Sequence, residues 1–226
     1  MRKKINEIEI ILGDDDWDIV CVNEPLRAWE VDVLKIGNFC LASRTTACGG
    51  GSLILLKPSI TSIPVDYINE LGLEKNCEIC CVYLNELNVI VLNLYRDLAI
   101  FLGFRYLKAA RIVVTGDFNV HFGSGDGDGT RLYDLMVAFS LKKMISVPTH
   151  GKNCIDNIFI NFVSDVSEAN SLSTAESDHS AVTLKEKEIK TYQNKRSSSI
   201  SPNEFNDFFV GMAKKLINDL GSAVQM

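Results

Sequence analysis

Apolar positions in this chain fall mainly in short runs closed by Gly, Asn, Asp or Pro, the pattern of strands rather than of long helices. Ile19 to Val22, Phe39 to Ala42 and Ser52 to Lys57 read as strands, the last entered through Gly49, Gly50 and Gly51. Cys77 to Leu84 and Asn88 to Tyr95 alternate around a turn at Asn85-Glu86 and predict a hairpin. Ile112 to Val120, Ile155 to Asn161 and Ser180 to Leu184 complete the expected strands. Helical spacing appears over residues 4 to 13, with Ile5, Ile8, Ile11 and Leu12 on one stripe, and again over Ile100 to Ala110 and Arg131 to Ser140. Pro25 to Glu30 reads as a helix start, and Asp14 to Asp16 and Gly123 to Gly129 as loops. Many strands with a few intervening helices predict an α/β sandwich of two sheets flanked by helices.

Beyond Leu184 the pattern changes. Residues 185–201 are polar and rich in Lys and Ser, as a linker is. Ser201-Pro202-Asn203-Glu204 then forms a capping box with proline in the first turn. Phe205, Phe208, Phe209, Met212, Leu216 and Ile217 follow as one apolar stripe down to Leu220. The expected organisation is a folded domain over 1–184, a linker over 185–201 and an amphipathic helix over 202–226.

A length of 226 residues with 46% hydrophobic and 23% charged residues fits one globular domain with a substantial core. No apolar run approaches membrane-spanning length, and Met1 to Glu7 lacks the apolar centre of a signal peptide. The expectation is an intracellular protein, nuclear or cytoplasmic, neither secreted nor membrane-bound. Seven cysteines, with Cys21, Cys77, Cys80, Cys81 and Cys154 in apolar runs, read as small buried hydrophobes. Cys77 and Cys80 form a CxxC without a second pair at zinc-site spacing. A net charge of −6 disfavours tight binding to phosphate backbones, although Lys142, Lys143 and Lys152 would suit a basic rim.

The candidate chemistry begins at Gly116-Asp117-Phe118-Asn119, directly after the apolar run Ile112 to Val114. In extended chain, Asp117 and Asn119 would share a face; they are equally ordinary turn formers. Asp156 interrupts the apolar run Ile155 to Asn161, and Asp178-His179 crowds the start of the last strand. Ionisable groups at such places are costly unless paired or functional. His121 reads as a rim residue, and His150 as a turn residue without an acidic neighbour. Asp126-Gly127-Asp128-Gly129 lacks the terminal glutamate of a calcium loop and reads as a turn.

With these segments in hand, the chain resembles the endonuclease/exonuclease/phosphatase superfamily, and within it the endonuclease domain of non-LTR retrotransposons. Trp17 to Glu24, Gly49 to Leu55, Asn93 to Arg96, Gly116 to Asn119, Ile155 to Phe159 and Ser177 to His179 occur in family order over roughly residues 8 to 185. The resemblance implies two packed mixed sheets in a four-layer sandwich and a Mg²⁺-dependent phosphodiester hydrolase, with Mn²⁺ as an alternative ion and DNA as the substrate to be nicked.

The resemblance also implies roles. Glu24 would ligate the metal, and Asp178 is a second candidate for metal or water. Asp117 would orient or deprotonate the attacking water, or protonate the leaving group; Asn119 would donate to the phosphate or position Asp117. Asp156 would hold the imidazole of His179, which would stabilise charge on the phosphate, and Tyr95 would offer its hydroxyl nearby.

There are departures. The relatives begin with a strand carrying a metal-binding Asn, and no Asn-bearing apolar strand precedes Glu24, so a domain lacking its first strand is expected. Glu24 is followed by Pro-Leu-Arg, and the stretch between Tyr95 and Asp117 is short. These departures leave two competing expectations. One is a truncated, catalytically impaired remnant with a binding role or none; the other is a phosphatase or RNase of the same superfamily.

Overall fold

In the computed structural model, the described residues are 17–23, 40–44, 51–57, 59–66, 68–69, 78–95, 111–122, 127–173 and 177–187. The expected helices over 4–13, 25–30 and 100–110, Glu24, the CxxC residue Cys77, most of the 185–201 linker and the 202–226 helix lie outside them.

Three sheets are present among the described residues. β1 (Ile19–Asn23), β2 (Cys40–Arg44) and β3 (Ser52–Leu56) form an antiparallel sheet in the order β1-β3-β2. β4 (Ser62–Pro64), β5 (Glu78–Leu84), β6 (Val89–Tyr95), β7 (Arg111–Asp117), β8 (Lys142–Lys143) and β9 (Asp156–Ile160) form a mixed sheet in the order β4-β5-β6-β7-β9-β8. β10 (Val166–Leu172) pairs with β11 (Ala181–Glu186). The helix α1 (Gly127–Ala138) follows β7. The architecture is the expected sandwich of packed sheets with few helices, and none of the sheets closes into a barrel.

Alternation in the central strands explains the layering. Ile79 and Cys81, Ile90, Leu92 and Leu94, Ile112 and Val114 face one side, where Leu132 and Met136 of α1 cover them. Cys80, Val82 and Leu84, Val89 and Val91 face the other, against Ile54 and Leu56 of β3. A strand buried on both faces reads as a continuous apolar run, as β5 and β6 do. Ile158, Ile160 and Phe162 are covered by Val166, Val182 and Leu184 of the β10–β11 pair. Burial pushes the thiol of Cys80 up to about 12 and holds those of Cys21 and Cys81 well above the usual range, so these thiols are inert core groups.

Several boundaries differ from the sequence expectation. β10 was not expected: Val-Ser-Glu-Ala-Asn-Ser-Leu carries little apolar signal and owes its strand form to pairing with β11. β11 itself runs to Glu186, two residues beyond the expected end. α1 begins at Gly127, inside the expected glycine loop. β7 ends at Asp117 rather than at Val120, which matters for the site.

At Gly116 the β7 backbone leaves no room for a side chain against β6. Gly116 has φ +144°, and a Cβ there would sit 1.8 Å from the Leu94 carbonyl oxygen. Only glycine fits a backbone contact of this kind. Gly116→Ala is expected to cost ~3 kcal/mol, by overpacking and backbone strain together. A urea midpoint close to wild type for that variant would contradict the close approach.

Candidate active site

The site forms where four strand ends meet. β7 pairs in parallel with β6, placing Tyr95 beside Asp117 in register, and antiparallel with β9, placing Asp156 directly opposite Asp117. Of Tyr95 only the backbone is described. Directly opposed residues face the same side of a sheet, so two carboxylates are set next to each other. Asp117 is 8% exposed, and the Asp156 side chain 13%. Like charges held this way repel unless a cation or a donor lies between them.

His179 supplies one such partner. Its Nδ1 lies 3.1 and 3.0 Å from the two carboxylate oxygens of Asp156. This contact puts the ring proton of the neutral imidazole on Nδ1. Asp117, Asp156 and His179 each offer a ligand atom, all within 4.8 Å of one another, a donor set suited to a divalent cation. The structure brings Asp117, Asp156 and His179 together; Glu24, the expected metal ligand, lies outside the described residues.

Asn119 departs from expectation. The strand has ended, Asn119 sits at φ +52°, and its N–H donates to Asp117 Oδ1 at 2.9 Å. The strand alternation that would have put both side chains on one face therefore does not reach it. The segment is an Asx turn, a conformation asparagine tolerates well. The turn is fastened from beneath by the Phe118, Phe122 and Phe159 rings, each pair edge-on at 5.4 Å. Phe118 and Phe122 N–H groups donate to the carbonyls of Ile155 and Cys154, each at 3.0 Å. His121 Nδ1 accepts from the Cys154 N–H at 3.2 Å, so it is a fastener more than a free rim group. Beside the turn lies an open cavity of about 470 Å³, lined by Asn119, His121, Gly127, Asp128, Asn153 and Ile155.

Asp178 is mostly exposed, and its carboxylate Oδ2 lies 3.2 Å from His150 Nε2. That hydrogen bond holds its carboxyl below the usual range. His150 therefore has an acidic neighbour after all. It is 28 residues distant in sequence, brought close by the β-bridge between His150 and His179.

Two further residues escaped sequence reasoning. Thr149, 2% exposed, accepts at Oγ1 from the N–H groups of Ile155 (3.1 Å) and Asp156 (3.0 Å). Asn157 is fully buried. Its Nδ2 donates to the Ile145 carbonyl at 2.9 Å, and its Oδ1 accepts from the Ile145 N–H at 3.1 Å. Together they tie the 144–150 segment to β9. A polar residue within an apolar strand was the signal that singled out Asp156, and it applies equally to Asn157.

A profile of the Endonuclease/Exonuclease/phosphatase family matches residues 1–179. The chain belongs to this family. Its superfamily comprises phosphodiesterases, phosphatases and nucleases, and members typically depend on a divalent metal. None of the curated proteins compared with it matches.

Solved structures share the fold at low identity. The endonuclease domain of TRAS1, a telomere-specific non-LTR retrotransposon, superposes with a TM-score of 0.61 at 15% identity, over 80% of this chain and 90% of that one. An AP endonuclease from Archaeoglobus fulgidus gives 0.62 at 13% identity, over 82% and 95%. A 3′ phosphatase, NExo, from Neisseria, bound to a product DNA hairpin, gives 0.61 at 13%, over 81% and 94%. Among the described residues no helix is long and apolar enough to cross a membrane.

Thr149→Val keeps the shape of the side chain but strands two backbone donors. It is expected to lower unfolding free energy by ~2–6 kcal/mol, at roughly 1–3 kcal/mol per lost partner. Chemical denaturation would show it, and a change below about 0.5 kcal/mol would mean that the two donors find other acceptors.

Proposed function

We propose that this family member is a Mg²⁺-dependent phosphodiester hydrolase that nicks DNA, with Mn²⁺ able to replace Mg²⁺. The observation that carries the reading is the opposed Asp117–Asp156 pair with His179 locked onto Asp156. Phosphodiester hydrolysis requires a water to be deprotonated and charge to be neutralised on the phosphoryl oxygens. The cation, held by Glu24 and Asp178, would supply that neutralisation. Hard carboxylate oxygens are the donors magnesium prefers, and the crowding of Asp117 against Asp156 supports a cation beside them.

The residues of this chain divide the remaining work. Asp117, nearly buried and oriented by the Asn119 N–H, orients the water and takes its proton. Asp156 fixes the imidazole of His179. Nε2 of His179 then points away from Asp156 and, when protonated, donates to a phosphoryl oxygen. Asn119, on its left-handed turn beside Asp117, donates to the phosphate. Tyr95 offers its hydroxyl from the strand position beside Asp117. Burial of the two carboxylates strengthens each of these contacts relative to water.

DNA as substrate rests on the order of the motifs along the chain and on their resemblance to the retrotransposon endonucleases. The net charge of −6 speaks for weak, transient engagement of the phosphate backbone.

Pure protein with millimolar Mg²⁺ should convert supercoiled plasmid to the nicked form, and EDTA should stop it. Asp117→Ala and His179→Ala should each lower the rate by at least about 100-fold. Asp156→Asn should lower it by roughly 10- to 100-fold, because the amide orients the imidazole without matching its charge. A folded wild-type protein that leaves plasmid intact overturns the nuclease reading. Release of phosphate from a 3′-phosphorylated oligonucleotide without nicking would instead move the chain to the phosphatase branch.

A further inference from the structure

Beside the proposed catalytic imidazole stands a second one that no family motif assigns. The rings of His150 and His179 are stacked, with centroids 4.5 Å apart and planes 30° from parallel. The two residues are also joined through the backbone by an antiparallel bridge, and the Ser180 N–H donates to the Thr149 carbonyl at 2.7 Å. His150 Nε2 meets Asp178 Oδ2 at 3.2 Å.

The same three side chains, His150, Asp178 and His179, bring ligand atoms within 4.8 Å of one another, so a transition-metal site is the obvious alternative. The ring geometry disfavours it. An imidazole nitrogen binds metal along its lone pair, in the plane of the ring. Stacked rings confine their lone pairs to two nearly parallel planes about a ring thickness apart, whereas the lone pairs of two ligands on one tetrahedral ion must meet at that ion. Stacking therefore opposes chelation and favours mutual support.

His179 gains from that support. Asp156 holds its ring at Nδ1, and rotation about the Cβ–Cγ bond would carry Nε2, the atom that faces substrate in the proposed reaction, off its target. A flat surface against the ring face opposes that rotation. His150 is itself well anchored to provide one. Its N–H donates to the Asn153 carbonyl at 3.0 Å and its carbonyl accepts from the Asn153 N–H at 2.9 Å, around Gly151 at φ +57°. Thr149, one residue before it, is tied to the backbone of Asp156.

We infer that His150 is a positioning residue, whose ring clamps the His179 imidazole in its working orientation while its Nε2 holds Asp178 at the rim of the same site. This rests on the catalytic reading of His179. The ring face, more than the nitrogen, carries the effect on His179.

The test compares His150→Ala, His150→Leu and His150→Phe in the full chain with Mg²⁺ and a plasmid or bis(p-nitrophenyl) phosphate substrate. His150→Ala and His150→Leu should lower kcat by roughly tenfold and leave KM within about twofold. His150→Phe should restore kcat to within about threefold of wild type, because it returns an aromatic face without the Asp178 contact. Equal rates for Phe and Leu, or a wild-type kcat for Ala, would overturn the proposal. Should Ala not fold, the Phe–Leu pair decides alone.

A readout independent of turnover separates this idea from the nuclease reading. In proton–nitrogen correlation spectra, the ring protons of His179 should be displaced upfield by the neighbouring ring in wild type and in His150→Phe, and should return towards ordinary values in His150→Leu. Unchanged His179 ring shifts across the three proteins would sink the clamp. Inactivity of the wild type together with the expected shifts would sink only the catalytic reading.

Discussion

The register of β7 with its two neighbours governs the site. Because β7 runs parallel to β6 and antiparallel to β9, its last residue has Tyr95 on one side and Asp156 on the other. A slip of one residue in either pairing would turn Asp117 or Asp156 to the opposite face of the sheet. The register is locked by the apolar alternation that buries both faces of the sheet, and by the close approach at Gly116. Hydrophobic packing thus holds two acids in a mutual position that electrostatics alone would oppose. Such a conflict between packing and charge is what makes the pair a candidate site.

Around this pair the backbone is braced by uncharged groups. The Thr149 hydroxyl, the Asn157 amide and the Asn119 turn fix, respectively, the start of β9, the segment before it and the exit from β7. Each satisfies buried donors or acceptors that would otherwise be stranded. At the Asn119 turn the acceptor is the Asp117 carboxylate itself, whereas at β9 neutral groups do the bracing. There the bracing residues lie next to ionisable ones in sequence: Thr149 before His150, and Asn157 after Asp156.

Much of this was legible in the chain. The β5–β6 hairpin, the strand before Asp117 and the strand holding Asp156 all announce themselves by apolar runs and turn residues, and the three groups that converge lie at motif positions. What was not legible depended on contacts distant in sequence. β10 has a polar sequence and becomes a strand only through β11. His150 looked isolated because its acid, Asp178, and its stacking partner, His179, lie across a bridge that no local pattern reveals. Asn119 misled through the period-two rule, which fails where a strand ends; Gly116 and the Asp-Phe-Asn turn chemistry were the available warning. Thr149 and Asn157 carry no charge, and only the break that Asn157 makes in an apolar run marked either of them.

One interior amide has a consequence for how the pocket opens. Asn93, 1% exposed, donates through Nδ2 to the carbonyls of Val22 and Leu53 at 3.0 and 3.1 Å, while its main-chain carbonyl accepts from Ser52 Oγ at 2.8 Å. It thereby pins the central sheet to two strands of the outer one, two positions before Tyr95 and two before Glu24. Sliding one layer over the other would strand buried carbonyls on both. The gap between the layers at this level is therefore set by the span of one carboxamide. Opening of the pocket by sliding one sheet over the other is thereby opposed at its base.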